Sequence, residues 1–198
     1  MNVHQLFPIP VAKFSLDREF TQEELDFVLS TERMPNMHNQ RSVDSYFFER
    51  NVMKNIHQFC LEKTNEFFQT IYAPKTEATM RITQSWGNYS QTNAGHHKHS
   101  HPKSFISGVL YVKADINKDR IYFHKEIYEQ ISFQTENFNP FNSKSWWFPV
   151  GTGELVLFPS NLSHSVEPVV GEERVSIAFN TFPVGIVGSE INLTELKL

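Results

Sequence analysis

Beyond Glu77 the chain changes character, and the change restricts its fold. Ala78–Trp86, Ile106–Lys113, Arg120–Phe123, Glu154–Phe158 and Arg174–Phe182 are short runs rich in β-branched and aromatic residues, bounded by turn-forming sequence. Gly151-Thr-Gly153 and Asn117–Asp119 mark turns. Thr135–Lys144, with Asn137, Asn139, Asn142 and Pro140, reads as a loop. Several short strands with no helical pattern between them predict a mainly β fold, an antiparallel sandwich or jelly roll.

The first 77 residues follow another period. Val11–Leu16 reads as a short strand. Thr21-Gln-Glu-Glu24 is a capping box, which opens a helix over Gln22–Ser30. From Tyr46 to Ile71 lies a longer helical pattern. Val52, Ile56, Phe59, Cys60, Phe67 and Ile71 form its apolar stripe, and Ala73-Pro74 closes it. The expected organisation is one domain over 1–198, with 1–77 a mainly helical buttress and 78–198 a jelly-roll core.

Composition limits the partners. Hydrophobic residues make up only 39%, but 18 Phe compensate in area, each burying roughly 150–250 Å². A net charge of −4 without any basic block argues against nucleic acid. A single cysteine, Cys60, excludes an internal disulfide and fits a reducing compartment, as a buried thiol in the helical stripe. The N-terminus lacks the basic start and long apolar run of a signal peptide, and no stretch approaches the roughly 18 apolar residues of a membrane span. The expectation is a soluble, cytoplasmic protein.

Chemistry concentrates at histidine. His96, His97, His99 and His101 sit within six residues, and His164 stands alone downstream. In an extended run, residues two apart share a face, so His97, His99 and His101 lie together and two of them can converge on one ion. His164 can supply a third imidazole, a ligand that suits iron, zinc, copper or nickel. Ten residues beyond it, Arg174 and Ser176 share a strand face opposite Val175, Ile177 and Phe179. An arginine fork beside a hydroxyl grips a carboxylate. The bland alternatives are a polar surface loop for the histidines and a surface ion pair from Arg174 to Glu172 or Glu173.

These blocks also resemble a known family. Ser85-Trp86, His99-Ser-His101-Pro102, Ser107-Gly-Val-Leu-Tyr-Val112, Gly153-Glu-Leu-Val-Leu-Phe-Pro-Ser160, His164 and Arg174-Val-Ser-Ile-Ala-Phe-Asn180 follow one another. In this order they look like the 2-oxoglutarate/Fe(II) oxygenases found in marine bacteria and in phages of cyanobacteria, as does the opening Leu6-Phe-Pro-Ile-Pro-Val11. The resemblance implies a double-stranded β-helix (jelly roll, cupin-like) with the N-terminal helices packed on the larger sheet. It implies Fe(II) and 2-oxoglutarate as cofactors. His99 matches the first metal ligand, His164 the distal one, and Arg174 with Ser176 the clamp on the far carboxylate of 2-oxoglutarate.

One position departs from the superfamily pattern. His101 stands where a carboxylate is usual, and three histidines leave the iron site at formal +2 rather than +1. His101 is the third ligand on this reading. The alternatives are a replacement carboxylate from Asp115, or a position left to water or chloride. Tyr89 is a secondary candidate for a 2-oxoglutarate contact. Trp146, Trp147 and Phe148 are candidates for the mouth of the site or for ordinary core. His96 and His97 fall to supporting or substrate-contacting roles.

The implied activity is hydroxylation of a C–H bond of an amino acid or protein side chain. Its partners are a small-molecule or protein substrate and O2, with no nucleic acid and no membrane, and a homodimer is left open. Two rival readings fit the same residues. Cupins share the barrel, use His-x-His, and have a later motif that Pro159-Ser-Asn-Leu-Ser-His164 approximates, so a cupin-like metal enzyme without 2-oxoglutarate is one. A non-catalytic jelly-roll binding protein is the other.

Overall fold

A computed structural model describes residues 1–126, 131 and 133–198. Strand β1 (Ala12–Ser15) precedes helix α1 (Gln22–Ser30), which starts where its capping box puts it. The Glu24 amide donates to Thr21 Oγ1, and the Thr21 amide donates to the Glu24 carboxylate. A small hairpin, β2 (Arg33–Pro35) and β3 (Gln40–Ser42), follows. The second helix, α2, spans Lys54–Tyr72, starting later than the apolar stripe suggests. Upstream of it the Phe48 amide donates to Ser85 Oγ and the Tyr46 amide to Asp44 Oδ1. Two short 3-10 turns therefore occupy Phe47–Glu49 and Asn51–Met53. The buried face of α2 is Ile56, Cys60, Thr64, Phe67 and Phe68, while Ile71 is exposed. The helix stops at Ala73, which takes a left-handed conformation before Pro74.

The remaining strands are β4 (Thr79–Ser90), β5 (His96–His99), β6 (Ile106–Lys113), β7 (Arg120–His124), β8 (Ser145–Pro149), β9 (Glu154–Pro159), β10 (His164–Val166) and β11 (Arg174–Val184). A two-stranded hairpin, β12 (Ile186–Val187) and β13 (Leu196–Lys197), ends the chain. Among the described residues the larger sheet runs β1-β9-β6-β11-β4-β3-β2 and the smaller runs β5-β10-β7-β8. From β4 to β11 the chain alternates between the sheets, apart from the β7–β8 hairpin, which closes a double-stranded β-helix. Residues 1–77 supply more than helices: β1 pairs with β9, and β3 pairs with β4.

Strand parity divides the core in two. The outward face of the larger sheet carries Tyr89, Leu155, Val175, Ile177 and Phe179, and it packs under Ile56, Cys60 and Phe67 of α2. The inward face, with Tyr111, Val156 and Phe158, packs against Ile121, Phe123 and Leu162 between the sheets. Gly108 of β6 sits directly opposite Phe179 of β11. A Cβ there would lie 2.2 Å from Phe179 Cζ, inside the ring's own volume. Gly108→Ala should therefore overpack the sheet and cost about 1–3 kcal/mol. A thermal melt reads the cost as a drop of several degrees, and an unchanged midpoint would show that the ring swings clear.

Candidate metal centre

Local pairing decides which histidines meet. His164 lies opposite His99, and Val166 opposite His96. Two steps of β10 thus match three of β5, a bulge that inverts side-chain parity along the run. His96, His99 and His101 line the internal cavity, whereas simple alternation predicts His97, His99 and His101. His97 instead lies within 6.2 Å of the His38 ring, with its Nδ1 buried and unpartnered. β5 ends at His99, and the His101 amide then donates to the Ser160 carbonyl (2.8 Å). That bond turns His101 toward Trp86 and His164.

His99, His101 and His164 offer ligand nitrogens all within 4.8 Å of one another. Two of the rings are held from behind. His99 Nδ1 is 2.8 Å from the His97 carbonyl, and His164 Nδ1 is 3.0 Å from the Leu162 carbonyl. A carbonyl only accepts, so Nδ1 carries the proton in both rings and Nε2 presents a lone pair. His101 Nε2 and His164 Nε2 stand 3.3 Å apart. Two nitrogens about 2.1 Å from one ion lie roughly 3.0–3.4 Å apart at octahedral to tetrahedral angles. The donor set therefore fits a divalent ion.

Burial keeps these rings ready for metal. It pushes His164 down to about 2, His96 to about 3 and His101 to about 4, with neighbouring imidazoles adding to each fall. Burial also lowers His99. Neutral imidazole is the coordinating form. His96, His97 and His99 make a second convergent group. It shares His99, whose Nδ1 is already engaged, so the two groups cannot both use its Nε2. Among the described residues no carboxylate joins either group. Asp115 is outside the cavity lining, on an exposed turn 3.1 Å from Lys118.

The same cavity reaches Arg174 and Ser176, both buried. Glu172 and Glu173 are not the partners of Arg174, since they pair with Lys113 and Arg33. The Arg174 guanidinium instead donates through Nη1 to Asp119 Oδ1 at 3.1 Å, both side chains being less than 10% exposed. Across the strands, Ser176 faces Asn88 on one side and Tyr111 on the other. The Tyr111 hydroxyl and Asn88 Oδ1 are buried without partners. Orphaned buried polar atoms cost free energy unless a ligand or water satisfies them. A buried guanidinium, a hydroxyl and an unpaired phenol on one wall fit the far carboxylate of 2-oxoglutarate.

Other sequence candidates lie elsewhere. Tyr89 faces the helices, its hydroxyl donating to the Val28 carbonyl at 2.6 Å, so strand parity removes it from the cavity. Trp146 and Trp147 belong to β8, on the rim of the smaller sheet, each more than 40% exposed. Neither lines the metal cavity. Phe148 packs on the core between the sheets. Tyr111, Asn88 and Asp119 were not singled out by the sequence. Parity within β6, counted from Ser107, could have found Tyr111; nothing local marks Asp119.

Comparison with known proteins fits this picture. Residues 84–180 match the model of a family described as "Putative 2OG-Fe(II) oxygenase". No curated protein matches the sequence. Among solved structures, an oxidoreductase of the 2OG-Fe(II) oxygenase family from Burkholderia pseudomallei is similar, with a TM-score of 0.57 and 14% identity, over 85% of this chain and 83% of that one. HygX from Streptomyces hygroscopicus, solved with nickel, 2-oxoglutarate and hygromycin B, gives 0.56 and 10% over 87% and 82%. A prolyl-4-hydroxylase from Pseudomonas putida gives 0.55 and 14% over 87% and 92%. At these identities the structures establish the shared fold, and the sequence match contains His99, His101, His164 and Arg174. Through residues 84–180 this chain is similar to the 2OG-Fe(II) oxygenases, dioxygenases that depend on iron and 2-oxoglutarate.

Proposed function

We propose that the chain hydroxylates a C–H bond of an amino acid or a protein side chain, with Fe(II) held by His99, His101 and His164. Arg174 and Ser176 take the far carboxylate of 2-oxoglutarate. The observation that carries this reading is one cavity lined both by three convergent imidazoles and by the buried Arg174 beside Ser176. When bound, iron and 2-oxoglutarate supply the activation of O2 that turns C–H into C–OH, with succinate and CO2 as co-products.

The chain's own residues bind, orient and exclude water. The carbonyls of His97 and Leu162 fix two ring tautomers. Phe158, 4.6 Å from the His164 ring, and Ile121 form an apolar wall beside the imidazoles. That wall strengthens the charge interactions inside the cavity. The Tyr111 hydroxyl adds a donor beside Ser176. A cytoplasmic setting belongs to the proposal, since Cys60 is a free, fully buried thiol. The prolyl-4-hydroxylase fold relative lends support to a side-chain substrate.

The test is anaerobic reconstitution of untagged protein with Fe(II), followed by 2-oxoglutarate. A visible metal-to-ligand charge-transfer band is expected, and bound iron without that band would overturn the reading. His101 has its own test. His101→Ala should lower iron affinity by more than the roughly 10–100-fold that loss of an outer partner costs. His101→Asp should keep stoichiometric iron. Unchanged iron content in His101→Ala would show that this ring is not a ligand.

A further inference from the structure

Arg174 does not hold its own position. A guanidinium taken out of water needs a counter-ion, and a flexible arginine needs something to select one rotamer. Asp119 does both. Its Oδ1 accepts from Arg174 Nη1 at 3.1 Å, in a pair with side chains 5% and 8% exposed. Asp119 is itself fixed from three directions: its Oδ2 accepts the Asp115 amide at 2.8 Å, its amide donates to the Asp115 carbonyl at 2.8 Å, and its carbonyl accepts the Val150 amide at 3.0 Å. The turn between β6 and β7, where the chain crosses from one sheet to the other, therefore sets the guanidinium of β11.

We propose that Asp119 is the positioning residue of the co-substrate clamp, presetting Arg174 for a ligand's distal carboxylate. The proposal rests on the assignment of Arg174 as that clamp. Asp119 engages one of the five guanidinium N–H donors, so the fork keeps donors for a ligand. It also places beside Arg174 the negative charge that His101 does not supply at the metal. A metal ion, three neutral imidazoles, Arg174 and Asp119 sum to the same formal +2 as a metal ion, two imidazoles, a ligating carboxylate and an unpaired arginine. In this chain the carboxylate stands behind the clamp, where it orients rather than ligates.

The experiment is calorimetric titration of the full chain, loaded with Mn(II), against two probes. 2-Oxoglutarate has the distal carboxylate and 2-oxobutyrate lacks it. Losing one charge-assisted contact and the preset rotamer, Asp119→Asn should weaken 2-oxoglutarate binding by about tenfold or more. It should leave 2-oxobutyrate affinity and metal stoichiometry unchanged. Asp119→Glu, which restores a carboxylate, should recover part of the loss. In an Arg174→Ala background, Asp119→Asn should have no further effect on either probe. An equal loss for both acids would make Asp119 merely structural and overturn the proposal. Unchanged or tighter 2-oxoglutarate binding would overturn it too. If Arg174→Ala alone leaves 2-oxoglutarate affinity intact, the clamp assignment itself falls, a different signature from failure of Asp119.

Discussion

His164→Ala should leave the protein unable to hold stoichiometric metal. His164 is 4% exposed and lies on β10, between β5 and β7 in the smaller sheet. Its Nε2 is 3.3 Å from that of His101, its ring centroid is 4.3 Å from that of His99, and its Nδ1 is tied to Leu162. Truncation removes the donor common to both close approaches and leaves two imidazoles, His99 and His101, on one short run. A ligand at a hundred times its dissociation constant stabilises a fold by about 2.7 kcal/mol. The wild type should therefore melt several degrees higher when Mn(II) or Ni(II) is added, and His164→Ala should show no shift. Melting of the metal-free proteins separates the ligand effect from the cavity left by the missing ring. A retained metal-dependent shift in His164→Ala would mean that the ion sits elsewhere, with His96, His97 and His99 as the remaining convergent group.

The second large effect is expected at Arg174. Arg174→Ala breaks a buried pair and leaves the Asp119 carboxylate without its counter-ion. Such a rupture costs about 3–5 kcal/mol of stability. Combining it with Asp119→Asn removes the stranded charge and should return much of that loss. Binding should respond separately from stability. Loss of a charged fork weakens 2-oxoglutarate binding by roughly 100-fold or more, the equivalent of about 2.8 kcal/mol. Metal stoichiometry should hold, because among the described residues the guanidinium's hydrogen bond goes to Asp119 rather than to any of the three imidazoles. Calorimetry at a temperature well below the melting transition reads this directly. Wild-type affinity for 2-oxoglutarate in Arg174→Ala would refute the clamp.

Much of this could be read from the chain because strands advertise themselves by alternation. Val175, Ile177 and Phe179 on one side of β11, with Arg174 and Ser176 on the other, are legible from composition alone, and both faces lie as expected. The capping box at Thr21 is equally local. What escaped notice depends on pairing between distant segments. The bulge opposite His164 puts His96 rather than His97 in the cavity, and it exists only in the register between β5 and β10. Asp119 is an ordinary turn residue until the chain brings it to a side chain 55 positions away. β8 was hidden for another reason. Ser-Trp-Trp-Phe-Pro lacks an alternating pattern, because it is a rim strand with both indoles partly in water.

The hairpin and the short strand of the first 42 residues have a further consequence. A jelly-roll sheet built only from β9, β6, β11 and β4 would end in two open strands with unsatisfied amides and carbonyls, each a template for another chain. Here β1 closes the β9 side, and β3 with β2 closes the β4 side. Lys13 ties β1 down further, reaching Glu154 at 2.9 Å and the Pro149 carbonyl at 2.8 Å. The outermost strands are only three or four residues long, and Pro35 sits on one of them, both features that discourage further pairing. The N-terminal segment thus acts as a pair of bumpers, one on each edge of the larger sheet, offering a neighbouring chain little to pair with there.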